Sequence, residues 1–183
     1  MVLTNTKIST ITYCWNRLGY KVTCLTAHPT STGGSQGGVE VVTRERLVRW
    51  GIESTRYHGP NVVSCYLVTG LIRTPLIGAY LPPSTLEHIP DLEEALKRFK
   101  DPIILWDLNM DLNEARSLWS QRFAELLLEY GLIDLVCHFR QCRRFRNLKT
   151  WSQVQHGTVL LLRFDHILGP DRRLFDLVGI RNM

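Results

Sequence analysis

The sequence has few of the features that mark membrane, secreted or metal-cluster proteins. None of its apolar runs approaches the ~18–20 residues of a membrane-spanning helix. Its first residues show no basic stretch followed by an apolar core, so we expect no secretory signal and an intracellular protein. The five cysteines are scattered, with no Cys-x-x-Cys pair. This spacing argues against a zinc site or a redox motif and favours reduced thiols.

Internal repeats and low-complexity tracts are also absent, and the composition is that of an ordinary globular protein. Hydrophobic residues make up 44% and charged residues 21% of the 183 residues. That length predicts one domain over residues 1–183, large enough to bury a real core.

Lysine is scarce, because only five of the 22 basic residues are Lys and the rest are Arg. The formal net charge is +5, and one segment of ten residues carries five basic residues and no acid. Guanidinium groups match phosphate oxygens, so this segment is a candidate nucleic-acid contact. A solvated loop explains such a run equally well. The basic residues of the segment are Arg140, Arg143, Arg144, Arg146 and Lys149.

Glycine is concentrated in one loose segment, His28 to Gly38, which holds four glycines and one proline. The segment lacks the Lys-Ser/Thr ending of a phosphate-binding loop and the spacing of a dinucleotide fingerprint. We therefore predict a mobile loop inside the domain.

Several short segments rich in β-branched and aromatic residues predict strands. The turn at Gly70 favours an antiparallel hairpin between two of them, and the apolar run before Asp107 is typical of a buried strand. The predicted strands are 20–26, 39–43, 61–69, 74–80, 103–106, 133–136, 150–154 and 159–168.

Two segments have the apolar spacing of amphipathic helices. In the first, Leu92, Ala95, Leu96 and Phe99 follow the i, i+3, i+4, i+7 pattern. The second runs from about residue 113 to 130 and ends at Gly131. Together the elements predict an α/β fold with two packed mixed sheets flanked by helices.

The strongest local signal for chemistry is Asp107-Leu108-Asn109, directly after the buried strand. The carboxyl end of a central strand is where an α/β sheet presents polar side chains to a crevice. A carboxylate and an amide two residues apart can position a hard cation or a water nucleophile. Taken alone, a turn with Asx hydrogen bonds is the commoner explanation.

The motifs around this pair change its interpretation. They occur in a fixed order along the chain: Gly78-Ala79-Tyr80-Leu81-Pro82-Pro83, the first helix, Asp107-Leu108-Asn109, Lys149-Thr150-Trp151 and Arg163-Phe164-Asp165-His166-Ile167-Leu168. In this order and spacing the chain resembles the endonuclease/exonuclease/phosphatase superfamily. It looks most like the endonuclease domains of fungal non-LTR (LINE-type) retrotransposons.

The resemblance implies a four-layer α/β sandwich that hydrolyses DNA phosphodiester bonds with Mg²⁺. It assigns Asp107 and Asn109 to orienting the attacking water and stabilising the transition state. Tyr80 would contact the scissile phosphate, and Asp165 would support a catalytic histidine. DNA is then the expected partner and the nucleus the expected site of action, with no membrane and no small-molecule cofactor.

Five departures from the family pattern together predict impaired activity. Asn5 stands where the family has a metal-binding Glu, which reduces the charge available to Mg²⁺. The family's first strand and its closing Ser-Asp-His motif are both absent from this sequence, so we expect an incomplete domain. His166 takes the place of a family Tyr and is interpreted as a strand residue. Trp106 replaces a family Gly and is expected to crowd the crevice.

Three hypotheses follow from this sequence. The favoured one is a diverged endonuclease-like domain of retrotransposon origin with impaired nicking of DNA. The second is a non-catalytic nucleic-acid binder that uses the segment 140–149. The third is a relic reading frame with no selected function, and the sequence leaves the oligomeric state open.

Overall fold

The computed structural model describes ten ranges of the chain: 2–4, 19–25, 28–29, 35–44, 50–82, 87–109, 118–135, 151–155, 158–162 and 165–170. Within these ranges the chain has a mixed α/β fold. Its elements, in chain order, are β1 (Val2–Thr4), β2 (Tyr20–Leu25), β3 (His28–Pro29), β4 (Ser35–Gln36), β5 (Val39–Arg44), β6 (Trp50–His58), β7 (Val62–Thr69), β8 (Ile72–Tyr80), α1 (Ile89–Arg98), β9 (Ile103–Asp107), α2 (Leu118–Glu129), β10 (Ile133–Asp134), β11 (Trp151–Gln155), β12 (Thr158–Leu162) and β13 (Asp165–Gly169).

A six-stranded open sheet in the order β10-β13-β9-β8-β7-β6 is the centre of the fold. Strands β7 and β8 form the expected antiparallel hairpin, and Gly70 in its turn has a φ of +63°. Strands β8 and β9 pair in parallel, with α1 between them in the chain. A parallel pair ends at one rim of a sheet, so Tyr80 and Asp107 finish side by side.

Helices α1 and α2 cover one face of this sheet. Leu92 and Leu96 of α1 and Phe123 and Leu126 of α2 are buried in one cluster with Trp106 of β9. Helix α1 begins at Ile89, earlier than the apolar spacing indicated, and has a proline in its first turn, where no backbone N–H is needed. Neither helix is long and apolar enough to cross a membrane.

The end of α2 confirms the stop that Gly131 predicted. The Gly131 N–H donates to the carbonyl of Leu128, the Leu132 N–H donates to that of Leu127, and Gly131 has a φ of +61°. These paired bonds satisfy carbonyls that the helix end leaves open, and the left-handed position favours glycine.

The opposite face of the large sheet contacts β5, which belongs to a smaller sheet in the order β1-β5-β2. Val39 and Val41 of β5 pack with Val63, Cys65 and Tyr80 in a second buried cluster. The α/β class is confirmed. A complete pair of packed sheets is not established by these contacts.

Cys65 is a free, buried thiol, as the cysteine spacing predicted. Burial raises the pKa of this thiol to about 11, with the nearby Arg98 guanidinium acting in the opposite direction. The thiol therefore stays protonated near neutral pH and is a packing group rather than a nucleophile.

Three features of the fold differ from the sequence-based predictions. Strand β6 was not predicted, because it is an exposed edge strand with charged residues and a bulge between Glu53 and Arg56. The segment 28–38 contains the short antiparallel pair β3–β4 rather than only loop. Residues 159–168 hold β12 and β13 instead of one strand.

Candidate active site

Neighbouring strands bring three of the predicted site residues to one rim of the large sheet. The parallel register pairs Tyr80 with Asp107, and the antiparallel register of β13 with β9 pairs Asp107 with Asp165. Asn109 follows two residues after Asp107. Residues from three distant parts of the chain thus meet because their strands are adjacent.

The turn after β9 is held by backbone and side-chain hydrogen bonds. The Asn109 N–H donates to Asp107 Oδ1 at 3.1 Å, which is the local Asx bond that such a motif favours. The Leu81 N–H donates to the Asp107 carbonyl at 3.0 Å. Asn109 has a φ of +50°, a left-handed conformation that asparagine tolerates better than most residues.

The side-chain amide of Asn109 has a fixed orientation. Its Nδ2 donates to the Leu81 carbonyl at 2.9 Å. The amide oxygen is therefore directed away from Leu81 and remains an acceptor. The same turn thus holds a half-buried amide, that of Asn109, and a half-buried carboxylate, that of Asp107.

Tyr80 is only 4% exposed and lies in the cluster with Val39 and Val41 of β5. Its N–H donates to the carbonyl of Asn61 at 2.9 Å. The tyrosine is thus anchored by its backbone in the hairpin and by its ring against β5.

Asn61 is a residue of the rim that the motifs did not indicate. It is 4% exposed and lies opposite Tyr80, because the next pair of the hairpin is Val62 with Ala79. A signal for it exists in the sequence, since counting back from a turn centred at Gly70-Leu71 pairs residue 61 with residue 80. Strand propensity alone marks residue 61 only as the start of a strand.

Trp106 does not crowd the rim, contrary to expectation. Its side chain is 3% exposed and packs edge to face against Phe123, with ring centroids 4.6 Å apart. Successive residues of a strand point to opposite faces, so Trp106 lies on the helix side while Asp107 lies on the other. The glycine-to-tryptophan difference therefore enlarges the core.

Other predicted residues cannot be placed to the same extent. Asn5 and the basic segment 140–149 lie outside the described residues, so their roles stay predictions. Asp165 and His166 are described by their strand register alone, which pairs His166 with Trp106.

The described side chains at the rim include two hard oxygen donors, one carboxylate and one amide. Within the described ranges, no three or more His, Cys, Asp or Glu side chains come together as a metal site. Mg²⁺ is commonly held by only one or two carboxylates, with water and substrate phosphate completing its shell. The Asp107 carboxylate and the Asn109 amide oxygen are hard oxygen donors of this type.

A second polar cluster lies on the helix side of the sheet. His58 Nε2 and Ser64 Oγ are 2.7 Å apart, Arg98 donates to Ser64 Oγ at 2.9 Å, and His58 Nδ1 lies 3.4 Å from Glu94. The arrangement looks like a Ser-His-Glu triad, but Ser64 is 0% and His58 2% exposed. These groups bond to one another between the sheet and α1, so the cluster ties α1 to β6 and β7.

Comparison with known proteins identifies the fold. No family model and no curated protein matches the chain. Among solved structures, the endonuclease domain of TRAS1, a telomere-specific non-LTR retrotransposon, has 14% identity and a TM-score of 0.59, with 86% of this chain and 69% of that chain covered. D. rerio TDP2 in complex with a single-stranded DNA product has 16% identity and a TM-score of 0.60, with 94% and 71% covered. The chain therefore has the endonuclease/exonuclease/phosphatase-type fold, shared with these two proteins.

Proposed function

We propose that this chain is a nucleic-acid phosphodiesterase of the endonuclease type, with Tyr80, Asp107, Asn109 and Asp165 at its reaction site. The observation that carries the proposal is the register of β8, β9 and β13, which puts Tyr80, Asp107 and Asp165 on adjacent strands at one rim. The fold shared with TRAS1 and TDP2 supports this class of reaction, and the TDP2 complex supports DNA as the substrate.

Each described group suits a step of phosphodiester hydrolysis. The Asp107 carboxylate and the Asn109 amide oxygen orient a water molecule, since both accept hydrogen bonds and both are held by the same turn. Tyr80 ends the strand next to that of Asp107, and we assign its phenol to a phosphate oxygen, whose charge rises during the reaction. Mg²⁺ held by Asp107 and Asn109 would neutralise that charge.

We also propose that hydrolysis by these 183 residues alone is slow. Asn5 provides a neutral amide where the related family has a carboxylate, which reduces the charge available to hold Mg²⁺.

The test is nicking of supercoiled plasmid by the purified chain in Mg²⁺ and in EDTA. We expect slow, Mg²⁺-dependent nicking that Asp107→Asn abolishes and Asn5→Glu accelerates. Asp101→Asn is a matched control, because Asp101 is an exposed carboxylate at the opposite end of β9 and its φ of +55° is compatible with asparagine. Equal nicking by the Asp107→Asn variant, or none by the unmodified chain at any Mg²⁺ concentration, would contradict the proposal.

Non-catalytic binding of DNA is the alternative, carried by the charge of segment 140–149. The Asp107→Asn variant separates the two functions. If DNA binds but is never cut by either protein, the chain is a binder only.

A further inference from the structure

We infer that Asn61 is a positioning residue for Tyr80, acting through the shape of its side chain. The inference rests on the proposed function, in which Tyr80 contacts the phosphate. It concerns a residue whose place in the site follows from strand register and packing rather than from any sequence motif.

The register places Asn61 beside Tyr80 at the rim. The hairpin pairs Val62 with Ala79 and Val63 with Gly78, and the hydrogen bond from the Tyr80 N–H to the Asn61 carbonyl continues this ladder by one pair. Opposed residues of an antiparallel pair carry their side chains on the same face, about 4.5–5.5 Å apart at Cβ. Asn61, Tyr80 and Asp107 therefore form a row across three neighbouring strand ends.

Gly37 covers this row from the side of β5. A Cβ atom built on Gly37 would overlap Asn61 Oδ1 and would lie 3.9 Å from Tyr80 Cδ1. The bare backbone of Gly37 therefore lies against the Asn61 side chain, with the Tyr80 ring nearby. Because the φ of Gly37 is +82°, a glycine is also the residue its conformation favours.

Asn61 is thus enclosed by the hairpin and by Gly37, which leaves it 4% exposed. A side chain packed this closely limits the positions that its neighbour can take. Removing it would leave a space beside Tyr80 into which the tyrosine ring can move. A small displacement of a group that contacts substrate can lower a rate by up to about 100-fold.

The experiment compares four variants of the full chain. Asn61→Ala removes the packed group, and Asn61→Leu restores a side chain with the same number of heavy atoms and the same branching. Asn61→Thr changes the shape at a position where a β-branched residue is compatible with a strand end. Ser64→Ala is the matched control, because Ser64 is equally buried in β7 but contacts His58 on the opposite face.

The first measurement is the NMR resonance of Tyr80 in protein labelled with ¹³C at tyrosine Cζ, assigned by its loss in Tyr80→Phe. The second is kcat and KM for cleavage of a labelled DNA oligonucleotide in Mg²⁺. We expect Asn61→Ala and Asn61→Thr to shift the Tyr80 resonance and to lower kcat more than they raise KM. Asn61→Leu should return both towards the unmodified values, and Ser64→Ala should leave the resonance unchanged.

An unshifted Tyr80 resonance in a folded Ala or Thr variant would overturn the inference. So would a Leu variant as defective as the Ala variant. If the unmodified chain cleaves nothing, the proposed function fails, while the resonance of Tyr80 still decides whether Asn61 positions it.

Discussion

Trp106 shows how a single residue can have a different role from the one its sequence position indicates. The residue immediately before Asp107 was expected to obstruct chemistry, yet its ring packs against Phe123 under α2. Its indole Nε1 is buried without a hydrogen-bond partner in the described part of the chain. The side chain therefore stabilises the fold by apolar packing and not through its polar atom.

Replacing Trp106 with Gly is expected to destabilise the protein instead of opening the site. Loss of a buried Trp costs about 3–5 kcal/mol, so the free energy of unfolding in a urea titration should fall by that amount. Trp106→Phe is the control, since it keeps an aromatic ring against Phe123 and removes the unpaired N–H, and it should cost far less. Faster nicking by a stably folded Trp106→Gly variant would show that the indole does obstruct the rim.

His58 is a buried titratable residue, and its environment makes stability depend on pH. Burial lowers its pKa from the ordinary value of 6.5, and the Arg56 and Arg98 guanidinium groups act in the same direction. Glu94 opposes them through its charge, with its Oε1 3.4 Å from His58 Nδ1. In the folded protein the ring is therefore harder to protonate than in the unfolded chain.

The sign of the effect follows from proton uptake by the unfolded chain. Below about pH 6.5 the unfolded chain binds a proton at this residue before the folded protein does, so stability falls as the pH decreases through that value towards the folded pKa. We expect His58→Gln to flatten this part of a plot of unfolding free energy against pH, measured by urea denaturation between pH 8 and 5. An identical slope with and without His58 would assign the pH dependence to other groups.

At the scale of elements, side chains from α1 bind the edge strand β6 through hydrogen bonds and an ion pair. Arg98 donates to the Ser54 carbonyl at 2.8 Å as well as to Ser64, and Glu94 pairs with Arg56 at 2.8 Å. Ser54 lies in the bulge of β6 and has a φ of +52°. A bulged, charged edge strand resists pairing with another chain, which protects an open sheet.

The start of β5 gives a prediction about glycine. Gly37 and Gly70 both have positive φ, but a Cβ on Gly37 meets Asn61 whereas a Cβ on Gly70 meets nothing within 4 Å. Gly70→Ala should therefore cost only the left-handed backbone strain, about 1–2 kcal/mol. Gly37→Ala should cost clearly more, because the strain is joined by the overlap. Equal losses of unfolding free energy in the two variants would show that the Asn61 side chain or β5 moves to accept the methyl group.

For the whole molecule, the sequence predicted those elements whose signals are local. The hairpin about Gly70, α1, β9 and the stop at Gly131 follow from turn chemistry and apolar periodicity. Strand β6 has no such signal, because an exposed edge strand carries polar residues at positions where a buried strand carries the apolar residues that identify it. Asn61 and the placement of Trp106 depend on which strands are neighbours and which face each residue takes, so they follow only once the register is known.

Three residues of the sequence motifs meet at the rim because each lies at the end of its own strand. Tyr80 ends β8, Asp107 ends β9 and Asp165 begins β13, so a fold that aligns these ends brings the motifs together. The hydrogen bond from Asn109 to the Leu81 carbonyl could not be predicted, since it joins two loops 28 residues apart.

The positive charge of the whole molecule is balanced by carboxylates in some parts of the chain and not in others. Several arginines of the described ranges are already paired with carboxylates: Arg56 with Glu94, Arg73 with Glu53, and Arg122 with Glu93 and Glu125. The segment 140–149 contains no acid of its own, and its charge of +5 equals the net charge of the whole chain. DNA phosphates should therefore be attracted to that segment more than to the paired arginines.

Two triple variants test this difference at equal change in net charge. Replacing Arg143, Arg144 and Arg146 with Ala should weaken DNA binding to the same extent for all DNA sequences. The negative slope of log K against log salt should become less steep, by about 0.9 for each phosphate that the segment no longer neutralises. Replacing Arg56, Arg73 and Arg122 with Ala should change both much less, because each of these charges is balanced by a glutamate. Fluorescence anisotropy with a labelled duplex at several salt concentrations gives both quantities. Equal weakening by the two variants would mean that DNA responds to net charge alone, because binding confined to 140–149 requires the first triple to have the larger effect.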